Sequence, residues 1–393
     1  MRVIGTKAFG LRTPIIREAD DLVAIVCQSV KDAVEHEKIQ INNGDIIGVT
    51  EAVVARSQGN YAALDQIAED VKAKFGGGDI GVVFPILSRN RFAMLLKGIA
   101  RGAEKVTVLL SYPGDEVGNQ LISWDDIDEK SLNPYSDCLT EPEYRRLFGN
   151  EIKHRFTGID YVAYYKSLGD NIEILLCADP KRILDYTGKV IAADIHTRFR
   201  TKRALAAAGA SKVIGVDEIL TKSINGSGYN ERYGLLGSNK ATEERVKLFP
   251  RNCDDFVQKM QQSIKDLCGK TVEILVYGDG GFKDPVGGIW ELADPVVAPA
   301  FTSGLKGTPN ELKLKYLADN NFADLSKEDA RKAIEKAIQA KTGVDQMGKM
   351  ESEGTTPRQL TDLLGSLCDL VSGSGDKGTP VVLIQGYFDN YAS

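Results

Sequence analysis

Residues 253–284 read CDDFVQKMQQSIKDLCGKTVEILVYGDGGFKD, and the reading of this stretch decides the fold class. Residues 253–268 have the pattern of a helix, Gly269 suits its C-terminal cap, and 272–277 form a strongly apolar strand. Gly269-Lys270-Thr271 matches the tail of a phosphate-binding P-loop only superficially. The glycine required five positions earlier is Ile264, and a strand rather than a helix follows, so that reading fails. A helix that hands over directly to a buried strand is the unit from which α/β proteins are built.

The same unit recurs outward from this point. Short β-branched runs at 45–49, 81–86, 105–110, 172–177, 190–194, 212–216 and 380–385 predict strands, with helices over 91–101 and 201–208 between them. Two of the strands follow a basic helix and a near-identical turn, GAEKV and GASKV. Ser326 precedes KEDARKAIEKAIQA, where an oxygen cap and early acids suit a helix start. A polar stretch over 343–355 separates that helix from the next. Thr356-Pro357 then opens RQLTDLLGSLCDLV, which stops in a glycine-rich turn before the last predicted strand. The expectation is a mixed α/β fold, large enough at 393 residues for more than one domain.

Bulk properties exclude several function classes. The chain is 42% hydrophobic and 26% charged, with net charge −6 and no Lys/Arg run of five, so a nucleic-acid surface is not expected. No apolar run approaches the roughly 18 residues that a bilayer span needs, so no membrane partner is expected. The opening MRVIGTKAFGLRTPII has no signal-peptide pattern, and the six cysteines form no CxxC pair. A reduced, cytoplasmic protein is the expectation. The three histidines share no zinc-ligand spacing, so any metal is expected to be oxygen-ligated magnesium or manganese.

Chemistry is carried by loops. Asp279, in a glycine-rich turn at the end of an apolar strand, is placed either to hold a divalent cation against phosphate or to make a plain turn. Lys283 and Asp284 lie nearby as a phosphate partner and a second carboxylate. Gly373-Ser-Gly375-Asp376-Lys377-Gly378 matches GxGxxG, but a helix runs in and a strand runs out, the reverse of a dinucleotide fingerprint. Its free N–H groups and Lys377 suit either phosphate wrapping or an ordinary turn. Asp115, Glu116 and Asn119 follow another strand, as a solvated turn or an acid pair. Asn225–Gly234 is a polar loop containing Asn230 and Glu231. His196, in the Asp194–Arg200 segment that closes a further strand, reads as structural before catalytic.

The order of these loops resembles the coenzyme F-420 γ-glutamyl ligases. Gly10-Leu-Arg-Thr-Pro14-Ile-Ile and Asn43-Gly-Asp-Ile-Ile-Gly-Val-Thr50-Glu51-Ala-Val-Val-Ala-Arg56-Ser57-Gln-Gly59 look like that family's opening loop and its "DGD–ST–SK" segment. Residues 272–284 and 373–380 look like its metal strand and its closing glycine loop. The resemblance implies nucleotide contacts at Leu11, Arg12, Pro14, Ile15, Thr50, Glu51, Arg56, Gly373, Gly375, Asp376, Lys377 and Gly378. It implies a metal ligand at Asp279, with Asp115 and Glu116, or more weakly Asn230 and Glu231, standing for a second metal loop. Glu51-Ala52 replaces the family's Ser-Thr pair, Arg56 its Lys, and Gly280 its Thr. A core of residues 1–100 and 226–393, interrupted by an inserted α/β region over 101–225, is the expected organisation.

By the same resemblance the expected activity is ligation of L-glutamate to a carboxylate acceptor through an acyl phosphate, with GTP as co-substrate, Mg2+ or Mn2+, and a homodimer. Coenzyme F-420-0, a folate or another carboxylate metabolite is the expected acceptor. A nucleotide-binding regulatory protein without turnover is the alternative in a different class.

Overall fold

The computed structural model describes residues 3–284, 288–290, 292–341, 349–352, 358–372 and 376–392. It is mixed α/β, built on two large sheets and a small one, and each large sheet is covered by helices on both faces.

The first sheet has five strands: β1 (Lys7–Leu11), β2 (Ile46–Thr50), β12 (Glu273–Tyr277), β13 (Ala300–Phe301) and β14 (Val381–Gln385), in the order β1-β14-β2-β12-β13. β2 and β12 run parallel, and the other pairings are antiparallel. Period-two alternation sends Ile47, Val49, Ile274, Val276, Val381 and Leu383 to one face, under helices Leu22–Glu37 and Cys253–Cys268. Ile46, Leu275, Tyr277, Val382 and Ile384 face the other way, against helix Leu360–Ser372. Burial on both faces explains why these strands read as continuous apolar runs. Helix Cys253–Cys268 has the expected bounds: Asp254 and Asp255 sit in its first turn, and Gly269 at φ +70° caps it by donating to the Lys265 carbonyl.

The second sheet holds β4 (Asp79–Val83), β5 (Lys105–Leu110), β6 (Leu139–Thr140), β7 (Ile172–Leu176), β8 (Lys189–Ala192) and β9 (Lys212–Gly215), in the order β6-β7-β5-β4-β8-β9. All pairings are parallel except β6 with β7. Helices Leu64–Phe75 and Phe92–Arg101 pack one face around Ile67, Leu96 and Val108. Ile183 and Leu205 cover Val83, Leu109 and Val190 on the other. β4 comes before residue 101 yet pairs with β5 and β8, so this sheet extends beyond the 101–225 region expected as an insertion. β4 also ends earlier than the expected 86, because Phe84 turns to φ +57° and Pro85 has no N–H to donate. The two Gly-Ala-x-Lys-Val turns lead into β5 and β9.

A three-stranded antiparallel sheet of β10 (Asn239–Lys240), β11 (Arg245–Lys247) and β3 (Tyr61–Ala63) joins the two lobes. Asn60 is fully buried at this junction. Its amide donates to the carbonyls of Tyr229 (3.1 Å) and Phe249 (2.8 Å) and accepts from the Tyr229 N–H (3.0 Å). Helix Lys327–Ala340 has the expected bounds, and Ser326 caps it by accepting from Asp329 N–H. The Thr356-Pro357 pair lies outside the described residues. Among the described residues no helix is long and apolar enough to cross a membrane, and the six cysteines are free thiols.

Candidate active site

Register alone brings four distant loops to one edge of the five-stranded sheet. Leu11 is level with Val381, Val381 with Val49, and Thr50 with Tyr277. The chain leaving β1, the chain leaving β2, the turn after β12 and the turn entering β14 therefore emerge side by side. Thr50 N–H donates to the Pro380 carbonyl at 3.0 Å, and Thr13 N–H to the Gly378 carbonyl at 3.3 Å, which ties three of them together. They form one wall of a cleft of about 880 Å³. The opposite wall comes from the second lobe, through Leu87, Ser88 and Arg91 after β4 and through Val117 and Asn119 after β5.

Pro14, Ile15, Thr50, Glu51, Arg56, Asp279 and Gly378 of the expected site all line this cleft. Others do not. Leu11 is buried in the core beneath the cleft. Arg12, Asp376 and Lys377 are exposed and stand outside its lining. Gly373 and Gly375 lie outside the described residues.

The side chains expected as second metal ligands, Asp115, Glu116, Asn230 and Glu231, do not line the cleft. The Asp115 carboxylate accepts from the N–H groups of Leu87 (2.8 Å), Val117 (3.1 Å) and Asn119 (2.9 Å) and from the Asn119 amide (2.9 Å). The Glu116 oxygens accept from the N–H groups of Ile195, His196 and Thr197 and from the Thr197 hydroxyl. Both acids therefore act as caps for backbone donors, and both line a different cavity. Asn230 is buried, its amide donating to the Phe249 and Pro250 carbonyls and accepting from Arg232 and Tyr233 N–H, while Glu231 is exposed. His196 bonds the Leu292 carbonyl at 2.7 Å, a structural role.

Charge in the cleft is organised around Arg91. Its guanidinium donates to Asp279 Oδ2 at 2.8 Å and to Asp294 Oδ1 at 2.6 Å, while Asp294 Oδ2 accepts from Asp279 N–H at 2.9 Å. Burial opposes the charge on Arg91, but Asp294 and Asp279 outweigh it and hold the group protonated. Burial, then the negative charge of Asp294, pushes the Asp279 carboxyl up to about 7, although Arg91 pulls the other way. Asp369 and Glu51 add to the rise. Asp369, on helix Leu360–Ser372, accepts from Gly280 N–H at 3.0 Å and is itself raised by burial. Glu51, the first residue of helix Glu51–Ser57, is buried and bonded through both oxygens to Lys247 of β11, at 2.8 and 2.7 Å.

Among the described residues no three His, Cys, Asp or Glu side chains form a ready metal cage. The donor set still fits a hard cation. Magnesium is commonly held by one or two carboxylates together with substrate phosphates, and Asp279 and Asp369 are neighbouring carboxylates whose mutual repulsion a cation would relieve. Arg91, Asp294, Asp369 and Lys247 were not legible as site residues in the sequence. Each lies in an unremarkable segment, and its importance arises only from contacts made across long stretches of chain.

A search of curated proteins returned no match. The model of the F420-0:Gamma-glutamyl ligase family matches residues 10–386, which takes in both walls of the cleft and the whole of the second sheet. With the resemblance among its loops now joined by a match over nearly its full length, the chain belongs to the F420-0:Gamma-glutamyl ligase family.

Proposed function

We propose that the cleft binds a nucleoside triphosphate, with guanosine preferred, and that the protein uses it to join L-glutamate to a carboxylate acceptor, coenzyme F-420-0 being the first candidate. Family membership gives the γ-glutamyl ligase class. The convergence of Asp279, Arg56 and Gly378 on one cleft is the observation that supports the nucleotide reading.

In the first step an acceptor carboxylate oxygen attacks the γ-phosphorus, so that an acyl phosphate forms and the diphosphate leaves. In the second the glutamate amine attacks the acyl carbon, the amide forms, inorganic phosphate leaves and the ammonium sheds its proton. Arg56 and the backbone around Gly378, which both line the cleft, would meet phosphate oxygens. Asp279 and Asp369 would hold Mg2+ or Mn2+, which when bound supplies charge neutralisation on the phosphates. Arg91 keeps Asp279 and Asp294 in a fixed arrangement, and Lys247 does the same for Glu51. A site whose dipoles and charges are already oriented needs little reorganisation as negative charge shifts during transfer. We also propose, on family resemblance, that the protein works as a homodimer.

The test is product analysis. Full-length protein incubated with GTP or ATP, Mg2+ or Mn2+, L-glutamate and a panel including coenzyme F-420-0 and folates should add one glutamate residue by mass to at least one acceptor. Nucleotide binding with no acceptor consumed would instead favour a regulatory protein.

A further inference from the structure

The second sheet carries a cavity that the ligase reading leaves unused. From β4 the chain moves outward to β5 and β7 on one side, then crosses to β8 and β9 on the other. With right-handed crossovers, the connections on either side of this reversal diverge and open a crevice at the carboxyl ends of the strands, the place where doubly wound sheets hold ligands. A cavity of about 590 Å³ lies there, bounded by Phe84 after β4, Ser111 after β5, Asp179 after β7 and Asp194 after β8.

Most acids around the crevice are already engaged. Asp115 and Glu116 accept backbone N–H groups as described above, and Asp179 accepts from Lys181 N–H. Asp194 differs. It is fully buried, its Oδ2 accepts from the hydroxyls of Thr197 (2.7 Å) and Thr201 (2.8 Å), and its Oδ1 has no hydrogen-bond partner among the described residues. A buried carboxylate oxygen left unpaired is costly, and native structures seldom tolerate it without a ligand or water. Burial, with the Glu116 charge nearby, pushes this carboxyl up to about 6 against the help of the two threonines, so a cation placed beside it would stabilise its charged form. At the rim Arg200 is exposed and makes no ion pair among the described residues.

We propose that this crevice binds a free amino acid, its ammonium group on Asp194 and its α-carboxylate on Arg200. Four acids against two bases in the lining place the cationic end inward, and the guanidinium fork suits a carboxylate at the mouth. The segment 111–119 forms a shared wall: Asp115 and Glu116 face the crevice, while Val117 and Asn119 line the nucleotide cleft. The site is separate from that cleft and does not depend on the ligase reading.

Titration calorimetry on the full chain without nucleotide tests it, with each standard amino acid and, for any that binds, its des-amino analogue (glutarate for L-glutamate). At least one amino acid should bind, and the analogue should bind at least tenfold more weakly. Asp194→Asn and Arg200→Gln should each weaken binding at least tenfold, whereas Asp279→Asn should leave it unchanged. Arg200 is exposed, so its variant reads the site even if Asp194→Asn does not fold. Binding of no amino acid, or binding unchanged in Arg200→Gln, overturns the proposal. A protein that ligates nothing but keeps Arg200-dependent binding sinks the ligase reading alone.

Discussion

Replacing Lys247 by Met should cost far more than its single ion pair suggests at first sight, and most of the cost should disappear when Glu51 is neutralised too. The two side chains are only 11% and 5% exposed, and the closer contact is 2.7 Å. At an effective dielectric of about 20, unit charges that far apart attract by about 6 kcal/mol before desolvation is counted. Removing Lys247 leaves the Glu51 carboxylate buried without its counter-charge, which typically costs about 3–5 kcal/mol. At an m-value of about 3 kcal/mol per M, the urea midpoint followed by circular dichroism should fall by about 1–1.7 M. The double variant Glu51→Gln/Lys247→Met carries no buried charge at this position and should lie within about 2 kcal/mol of the parent. The sign with pH follows from Glu51. Burial already raises its carboxyl above the ordinary 4.5, and loss of Lys247 raises it further. Folded Lys247→Met therefore holds a proton that the unfolded chain releases, so its stability falls as pH rises from the ordinary carboxylate range. The deficit should be smaller at pH 5 than at pH 8. Single variants whose effects sum to that of the double within about 0.5 kcal/mol would refute the coupling.

Three further outcomes are expected. Asp279→Asn should remove most of the rise in melting temperature that GTP with Mg2+ gives the parent, a stabilisation of about 2.7 kcal/mol at a hundredfold excess over Kd. Because Asp279 titrates near 7 rather than 3.8, its contribution to stability is complete below the ordinary range and fades as pH rises through about 7. Added Mg2+ should therefore stabilise the protein more at pH 8 than at pH 5 by scanning calorimetry, with the change centred near 7. Gly48→Ala should lower stability by about 1–3 kcal/mol, since a Cβ there would sit 2.5 Å from Cys368 Sγ, and Cys368→Ala in the same chain should restore part of the loss.

What could be read in advance was whatever depends on neighbours in sequence. The strand Lys105–Leu110 and the helices Cys253–Cys268 and Lys327–Ala340 fall where apolar runs, acidic first turns and caps place them. Asp279 and Gly378 were legible because a turn that ends or enters a buried strand must surface at the sheet's edge. β1, with the sequence KAFGL, carries no β-branched residue and draws its stability from pairing with β14 instead. Asp115 and Glu116 misled for a physical reason. Two adjacent acids after a strand look the same whether their oxygens await a cation or a row of N–H donors, and only the packing of Leu87 and Ile195 against them decides. Arg91 was visible only as the start of a basic helix. Its two carboxylate partners lie about 190 and 200 residues further along the chain.

The position of β14 has a consequence for biosynthesis. It lies between β1 and β2, yet it is made more than 300 residues after β2. At translation rates of roughly 5–20 residues per second, both earlier strands wait for tens of seconds with a bare edge while the second lobe is already able to assemble. Such edges invite pairing with other nascent chains. Polysomes crowded with this message would then be where the protein most needs a chaperone, and slowing elongation should lower its soluble yield before it affects the folded enzyme.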